Sequence, residues 1–556
     1  MKRLYVIISI WLTAATAIVA QPSWTKKATK SVFTLKTFDA SGALLASSCG
    51  FFTGEQGEAV SCFSPFKGAY SAVVIDAQGK EWPILCMLGA NDTYDVARFR
   101  VTAKKTTPIA LATTSATENT SVWLLPYRET KDVPQGTVRK AETFRQDYAY
   151  YTVALNMPEG TTGCPLINEN GEVIGLMQQP YRQTDSLSYA VSALFADSLA
   201  INGLSINDAA LRSTHIKKDL PADVGQATLT LYVAQASLDS AAYAQLLDDF
   251  IARFPNAPDG YTYRAQAATN AHRFAEAARD MEQAIRVADK KDEAHFNYSK
   301  LIYDKEIYLH DMAFDAWSLD KALEEAREAE RLNPMAVYRR QQAVILYAQK
   351  KYAEASDIYA TITNSEMRSP ELFYEASRCK AALKDTTAQL ALVDSCVAMF
   401  SQPYLKEAAP YLMVRAQLLM DMQQYRKAAS DLNEYEKLMQ ATVNANFYYL
   451  RFQAEVGGKL YQQALNDIDH AIQMAPGNDL YYAEKASLQV RVGLYDEAIS
   501  TATECVGVAP DHSDGYLFLG LAQCLKGQKQ EGVKNLQKAR ELGDPQAEEL
   551  IEKYSK

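Results

Sequence analysis

Between Gly160 and Leu176 the chain gathers groups able to do chemistry. Thr161 and Thr162 place two hydroxyls between Gly160 and Gly163, and Cys164 follows with a thiol. A hydroxyl is a weak nucleophile at its own pKa and needs a neighbouring base, most often histidine, to take its proton. No histidine occurs in residues 1–214; the six in the chain begin at His215. A threonine that works without histidine uses the free amine of its own N-terminal residue, and Thr162 is internal. Cys164 as a nucleophile lacks the same base, and the commoner reading is a buried, inert thiol.

The elements that must position these groups are short strands. Pro165-Leu166-Ile167 and Val173-Ile174-Gly175-Leu176 are apolar runs, and Asn170-Gly171 between them supplies the positive φ angles of a short hairpin. From Ser31 to about Ile201 the same pattern repeats, as in Ser31–Phe38, Ala72–Ile75 and Val122–Leu125, with Gly, Asn, Asp and Pro between the runs. Such spacing predicts an all-β barrel or sandwich.

The Gly160–Leu176 layout resembles the nucleophile loop of trypsin-like serine peptidases, especially the exported heat-shock type, in which Gly-Asn-Ser-Gly-Gly-Pro-Leu precedes an Asn-x-x-Gly-x-Val-x-Gly hairpin. Ser48-Cys49-Gly50-Phe51-Phe52 resembles that family's Gly-Ser-Gly-Phe strand. Gly57 to Ala69 resembles the segment that carries the histidine, and Asn91 to Phe99 the segment that carries the aspartate. Ser188-Tyr189-Ala190-Val191 resembles the strand lining the substrate cleft. The resemblance implies a double β-barrel, with Asp95 at the aspartate position, Ser64 at the histidine position and Thr162 at the serine position. Backbone amides around Gly160 to Thr162, in the loop bounded by Gly160 and Gly163, are expected to form an oxyanion-type pocket, since such donors do not depend on side chains. Deprived of imidazole, Asp95 needs other donors: either the Ser64 hydroxyl or backbone amides. Catalysis would require a base from elsewhere, such as His215 folding back or a histidine of a partner chain.

At 556 residues the chain is too long for one core. Met1-Lys2-Arg3, the apolar run Leu4 to Val19 and the small Ala20 have the three parts of a secretory signal peptide. The run is short for a membrane span of about 20 residues. The expected location is therefore periplasmic or extracellular, as a soluble protein with no span after cleavage. In that setting Cys49 and Cys62, which flank the Gly54–Gly57 turn, are a disulfide candidate, with free buried thiols as the alternative. Residues 21–205 carry 16 Lys+Arg against 17 Asp+Glu, and residues 206–556 carry 39 against 50. That balance argues against nucleic acid, whose binding requires a basic patch to neutralise phosphates. Neither a metal site nor a cofactor is indicated.

Residues 206–224 show no sustained apolar period and are expected to be a linker. Beyond them lie amphipathic helices with a period of 34: Ala464, Ala498 and Gly532 recur in register, as do Ala471, Cys505 and Ala539, with Pro476 and Pro510 closing two units. Phe274–Ala277, Ala322, Ala355 and Ala428 mark earlier units. This pattern resembles the tetratricopeptide repeat, whose units bury their apolar faces only by stacking. An insertion around Asp304–Asp315 stretches one unit, 225–255 is a degenerate first unit, and 545–556 is a closing helix. Repeat position makes Arg340, Tyr347, Met413, Gln417, Tyr449 and Gln453 candidates for lining a protein-binding groove.

The expected organisation is therefore a signal peptide at 1–20, a trypsin-like double barrel at 21–205, a linker at 206–224 and an all-α repeat solenoid at 225–556. Two functions fit: an exported scaffold with an inactive peptidase-like domain that grips a protein or peptide partner, or a serine-type endopeptidase with a non-standard triad.

Overall fold

Side-chain alternation builds the first barrel. In Val32–Phe38 (β1), Phe33, Leu35 and Thr37 are buried while Thr34, Lys36 and Phe38 are half-buried, as period two demands of a strand with one face on a core. The computed structural model describes residues 22–127, 133–179 and 186–555. The segment expected to direct export, 1–20, lies outside them. Around β1 stand Leu44–Phe52 (β2), Glu58–Ser61 (β3), Ser71–Ile75 (β4), Glu81–Asn91 (β5) and Val96–Val101 (β6), closed in the order β1-β2-β3-β6-β5-β4. The rings of Phe33, Phe52, Phe66 and Phe99 fill the interior, with centroids 4.8–6.1 Å apart in successive pairs.

A second closed barrel follows, in the order β10-β11-β12-β9-β8-β7, from Ser121–Leu124 (β7), Gln135–Phe144 (β8), Tyr148–Ala154 (β9), Pro165–Ile167 (β10), Val173–Met177 (β11) and Leu187–Ser192 (β12). In β9, Ala149, Tyr151 and Val153 point inward. Cys49, Phe51, Val60 and Cys62 of the first barrel share one apolar cluster with Tyr151, Leu166, Leu176 and Val191 of the second. That cluster is the seam between the barrels.

The β10–β11 hairpin differs in detail from its sequence reading. Of the Asn170-Gly171 pair, Gly171 takes positive φ, 80°, and Asn170 does not. The Gly171 amide bonds to the Asn168 carbonyl at 3.1 Å, and the register shifts by one residue between Leu166 and Ile167. This is a turn closed by a left-handed glycine with a bulge, the pattern of a three-residue connection.

The stretch 206–224 is not a free linker. Ala210, Leu211 and Ile216 are buried in the first barrel's core beside Met87, and the Met87 amide bonds to the Lys217 carbonyl at 2.7 Å. Three apolar anchors separated by polar residues leave no period in the sequence, yet they are enough to pin the segment.

Between Val224 and Tyr554 lie nineteen α-helices among the described residues. The chain divides into two compact units between Asp289 and Lys290, so the helices from Val224–Ala234 to Phe274–Val287 group with the barrels rather than with the later helices. Small residues sit where the helices of a pair touch. Ala464, Ala471, Ala498 and Ala539 are fully buried, and a Cβ on Gly532 would meet the Cys524 sulfur and stand 2.7 Å from the Gly520 carbonyl oxygen. The inserted unit has an 18-residue first helix, Lys291–Tyr308, where its neighbours have 13 or 14 residues.

One device of these pairs went unread in the sequence. Arg264, Arg415 and Arg451 each grip an aspartate 16 residues later, on the second helix of the same pair. Nε and Nη2 bond to both carboxylate oxygens of Asp280, Asp431 and Asp467 at 2.6–2.9 Å. Two-point guanidinium–carboxylate bonding fixes orientation as well as charge. The constant offset of 16 was the available signal.

Candidate functional site

Ser64 opens a short 3-10 turn, Ser64–Phe66, directly after β3. Asp95 lies in the β5–β6 turn at φ 48°, a left-handed conformation uncommon outside glycine and asparagine. The turn brings its carboxylate to Ser64, whose backbone amide and hydroxyl both donate to Asp95 Oδ1 at 2.6 Å. The two alternatives for satisfying this carboxylate thus coincide on one residue. Both donors converge on one carboxylate oxygen.

Thr162, half-buried, occupies the turn before β10, between Gly160 at φ 78° and Gly163 at φ 84°. Its hydroxyl donates to Gln179 Oε1 at 2.8 Å. A carboxamide oxygen accepts a hydrogen bond but does not take the proton at neutral pH, so this contact holds the hydroxyl without activating it. The His215 ring stacks on Tyr70 with centroids 3.9 Å apart.

The turn that would form an oxyanion pocket is tied to the first barrel by its carbonyls. The Thr162 carbonyl accepts from the Cys49 amide at 2.9 Å and from the Ser48 hydroxyl at 3.1 Å. The Gly163 amide is committed to the Met177 carbonyl at 2.8 Å, which removes Gly163 as an oxyanion donor. The amides of Gly160 and Thr162 have no protein acceptor among the described residues. Gly163 itself is dictated by sterics, since a Cβ there would overlap the Cys49 carbonyl oxygen.

All eight cysteines are free and buried. Cys49 and Cys62 form no disulfide. The Cys49 thiol instead meets that of Cys164, and this hydrogen bond holds it below the usual thiol range, whereas burial pushes Cys164 well up. Cys62 lies against the Met177 carbonyl at 3.5 Å, and burial followed by the Asp95 charge raises its pKa. The alternative expectation for this pair, free buried thiols, is what the structure contains.

Residues 48–176 match the family model of a trypsin-like peptidase domain. The front of the chain has the trypsin-like fold. Ser64, Asp95 and Thr162 lie within the matched residues. The helical region is similar to the small glutamine-rich tetratricopeptide repeat-containing protein 2 of Saccharomyces cerevisiae, with 28% identity over 98 residues. The match covers 18% of this chain and 28% of that relative's length.

In the helical unit the structure brings together two of the six groove candidates. Arg340 and Tyr347 line a cavity of about 390 Å³ with Tyr303, Ile307, Glu375 and Arg378, from the first helices of three successive pairs. Glu375 holds Arg340 through Nε at 3.0 Å and Nη2 at 2.5 Å, and the Arg378 guanidinium lies 4.8 Å from the Tyr347 ring centroid. The remaining four lie elsewhere. Met413 packs against the core around Leu419 and Leu432, and Gln417 bonds to Asp421 on its own helix at 3.4 Å. Tyr449 stacks on Phe452, reaches Glu484 at 3.4 Å and takes a hydrogen bond with Gln453. Glu375 and Arg378 were missed, although Glu375 follows Arg340 by 35 residues, about one repeat.

Proposed function

We propose that this protein is an exported interaction scaffold: its trypsin-like domain no longer cuts, and its repeat helices hold a protein partner. The observation that carries the reading is the bonding of the three triad-equivalent groups. Asp95 is occupied by both donors of Ser64, and the Thr162 hydroxyl donates its hydrogen bond to a carboxamide oxygen. Without a base the hydroxyl stays protonated and no acyl transfer begins. Binding is supported by the tetratricopeptide relative and by the 390 Å³ cavity, whose aromatic walls and Arg378 suit a side chain of a bound peptide. Export is supported by the Met1–Ala20 pattern, and no described helix is long and apolar enough to cross a membrane.

A second reading, a serine-type endopeptidase with a non-standard triad, is favoured by the family match and by the uncommitted Gly160 and Thr162 amides. Fluorogenic peptide and casein assays on the purified chain decide between them. The scaffold reading expects turnover no greater than that of Thr162→Ala. Turnover abolished by that substitution would establish the endopeptidase. Co-precipitation with Arg340→Ala and Arg378→Ala variants tests the groove, with loss of partner expected from both.

A further inference from the structure

Two cavities in the unit Lys290–Lys556 share one wall. Arg340 borders both: the cavity of about 390 Å³ already described, and a second of about 350 Å³ lined by Val337, Ile362, Met367 and Leu372. Their chemistry differs. In the first, Arg340 and Glu375 neutralise each other through their two-point bond, so Arg378 is left as the one lining cation without a carboxylate partner among the described residues. Arg378 is exposed and lies over the Tyr347 ring, which orients the guanidinium but does not cancel its charge. The second cavity presents mainly aliphatic and thioether groups. Glu371 at its rim is occupied by the start of its own helix, through its own amide and Ser369.

One wall of the first cavity comes from the inserted unit. Neighbouring helices have 13 or 14 residues, and a helix of that length starting at Lys291 would stop at Tyr303 or Asp304. The extra turn, ending at Tyr308, carries Ile307 into the cavity wall. The insertion thus turns a stretch of groove into a compartment sized for a projecting side chain. Charge then selects which one. Residues 206–556 hold 50 acidic side chains against 39 basic ones, so an unneutralised arginine between aromatic rings is a local exception that favours a negative guest and disfavours a positive one.

We propose that the adjoining cavities form a two-residue recognition site for an extended peptide: Arg378 receives the carboxylate of an aspartate or glutamate side chain, and the second cavity receives an aliphatic side chain close by in the same peptide. The inference rests on the scaffold reading and names the chemistry of the partner that its groove takes. Arg378 donates to the two carboxylate oxygens, the geometry that Arg340 already adopts with Glu375. Tyr303, Tyr347 and Ile307 cover the methylenes of the acidic side chain. Val337, Ile362, Met367 and Leu372 bury the aliphatic one.

The test offers the full chain a library of fluorophore-labelled, C-amidated octapeptides in which one position at a time is fixed, and reads binding by anisotropy. The expected selection is aspartate or glutamate at one position and leucine, isoleucine, valine or methionine within about three residues of it. The best peptide should lose affinity about 10-fold or more when its acidic residue becomes the matching amide, and again on Arg378→Ala, or on Arg378→Gln if the alanine variant does not fold. Arg378→Glu should turn the selection at that position to lysine or arginine, an inversion that damage to the fold does not produce. Val337→Asp should remove the aliphatic preference and keep the acidic one. A peptide that binds only with its terminal carboxylate free overturns the assignment to a side chain. Selection of neutral or basic residues by the parent chain, or no selection at any position, overturns the proposal; the former leaves the scaffold reading standing. Thr162-dependent turnover in the peptidase assays overturns the scaffold reading, and with it the proposal.

Discussion

Replacing Glu455 with glutamine should stabilise the helical unit at alkaline pH and leave it unchanged at acid pH. Glu455, on the helix Ala445–Gly457, is 3% exposed, and its Oε2 has no hydrogen-bond partner among the described residues. The nearby cation, Arg451, is already shared by Asp467, with bonds of 2.6 and 2.8 Å, and by Glu436, at 2.5 Å. A third carboxylate cannot be neutralised there, so burial, reinforced by the Asp467 charge, pushes the Glu455 carboxyl up to about 8. The sign follows from proton counting. Above pH 4.5 the unfolded chain releases this proton and the folded chain keeps it until about pH 8. Stability therefore falls as pH rises through that interval, by about 1.4 kcal/mol per pH unit for one proton, or at most about 5 kcal/mol in all. Glutamine does not titrate and its amide still donates toward Asp467. The variant should match the parent within about 0.5 kcal/mol at pH 5 and exceed it by about 2–4 kcal/mol at pH 8.5, the reduction from the maximum reflecting local opening of the helix pair. Urea unfolding at pH 5, 7 and 8.5, with hydrogen exchange on Ala445–Gly457 and Tyr461–Met474 as a local readout, measures the difference. Parallel pH profiles for parent and variant would refute the assignment of a retained proton.

The Arg–Asp straps predict a sharp contrast with surface pairs. Arg415→Ala leaves Asp431, 6% exposed, without its charge partner and should cost about 3–5 kcal/mol, whereas Arg331→Ala, on the exposed pair with Glu328, should leave the melting temperature nearly unchanged. Thermal melts of the two variants check this. Gly163→Ala should destabilise the barrels by more than about 2 kcal/mol, because positive φ and overlap with the Cys49 carbonyl oxygen add, while Gly160→Ala, with open space around it, should cost about 1 kcal/mol. Ser64→Ala removes one of two donors to Asp95 and should cost about 1–2 kcal/mol without changing peptide turnover, measured by melting and by the fluorogenic assay.

The barrels were legible in the sequence because alternation and turn residues are local signals: Val32–Phe38, Ser71–Ile75 and Ser121–Leu124 lie where the apolar runs placed them. The repeat helices were legible because Ala464, Ala498 and Gly532 keep register. What escaped were contacts between segments remote in sequence. Residues 206–224 read as linker in the sequence, since the barrel they pin to lies more than a hundred positions earlier. The missing histidine was plain, but the substitutes for its bonds, Ser64 toward Asp95 and Gln179 toward Thr162, needed coordinates. In the groove, Arg340 and Tyr347 were found by repeat position. Met413 and Tyr449 were drawn into packing by their size and apolar surface.

The offset of sixteen between each strapping arginine and its aspartate places both members inside a single helix pair. The same arginines reach back to the preceding pair, to Asp248, Asp394 and Glu436, so each guanidinium fastens its own pair and also ties it to the one before. Removing one pair would therefore strip the next of an acidic neighbour while leaving its internal strap in place.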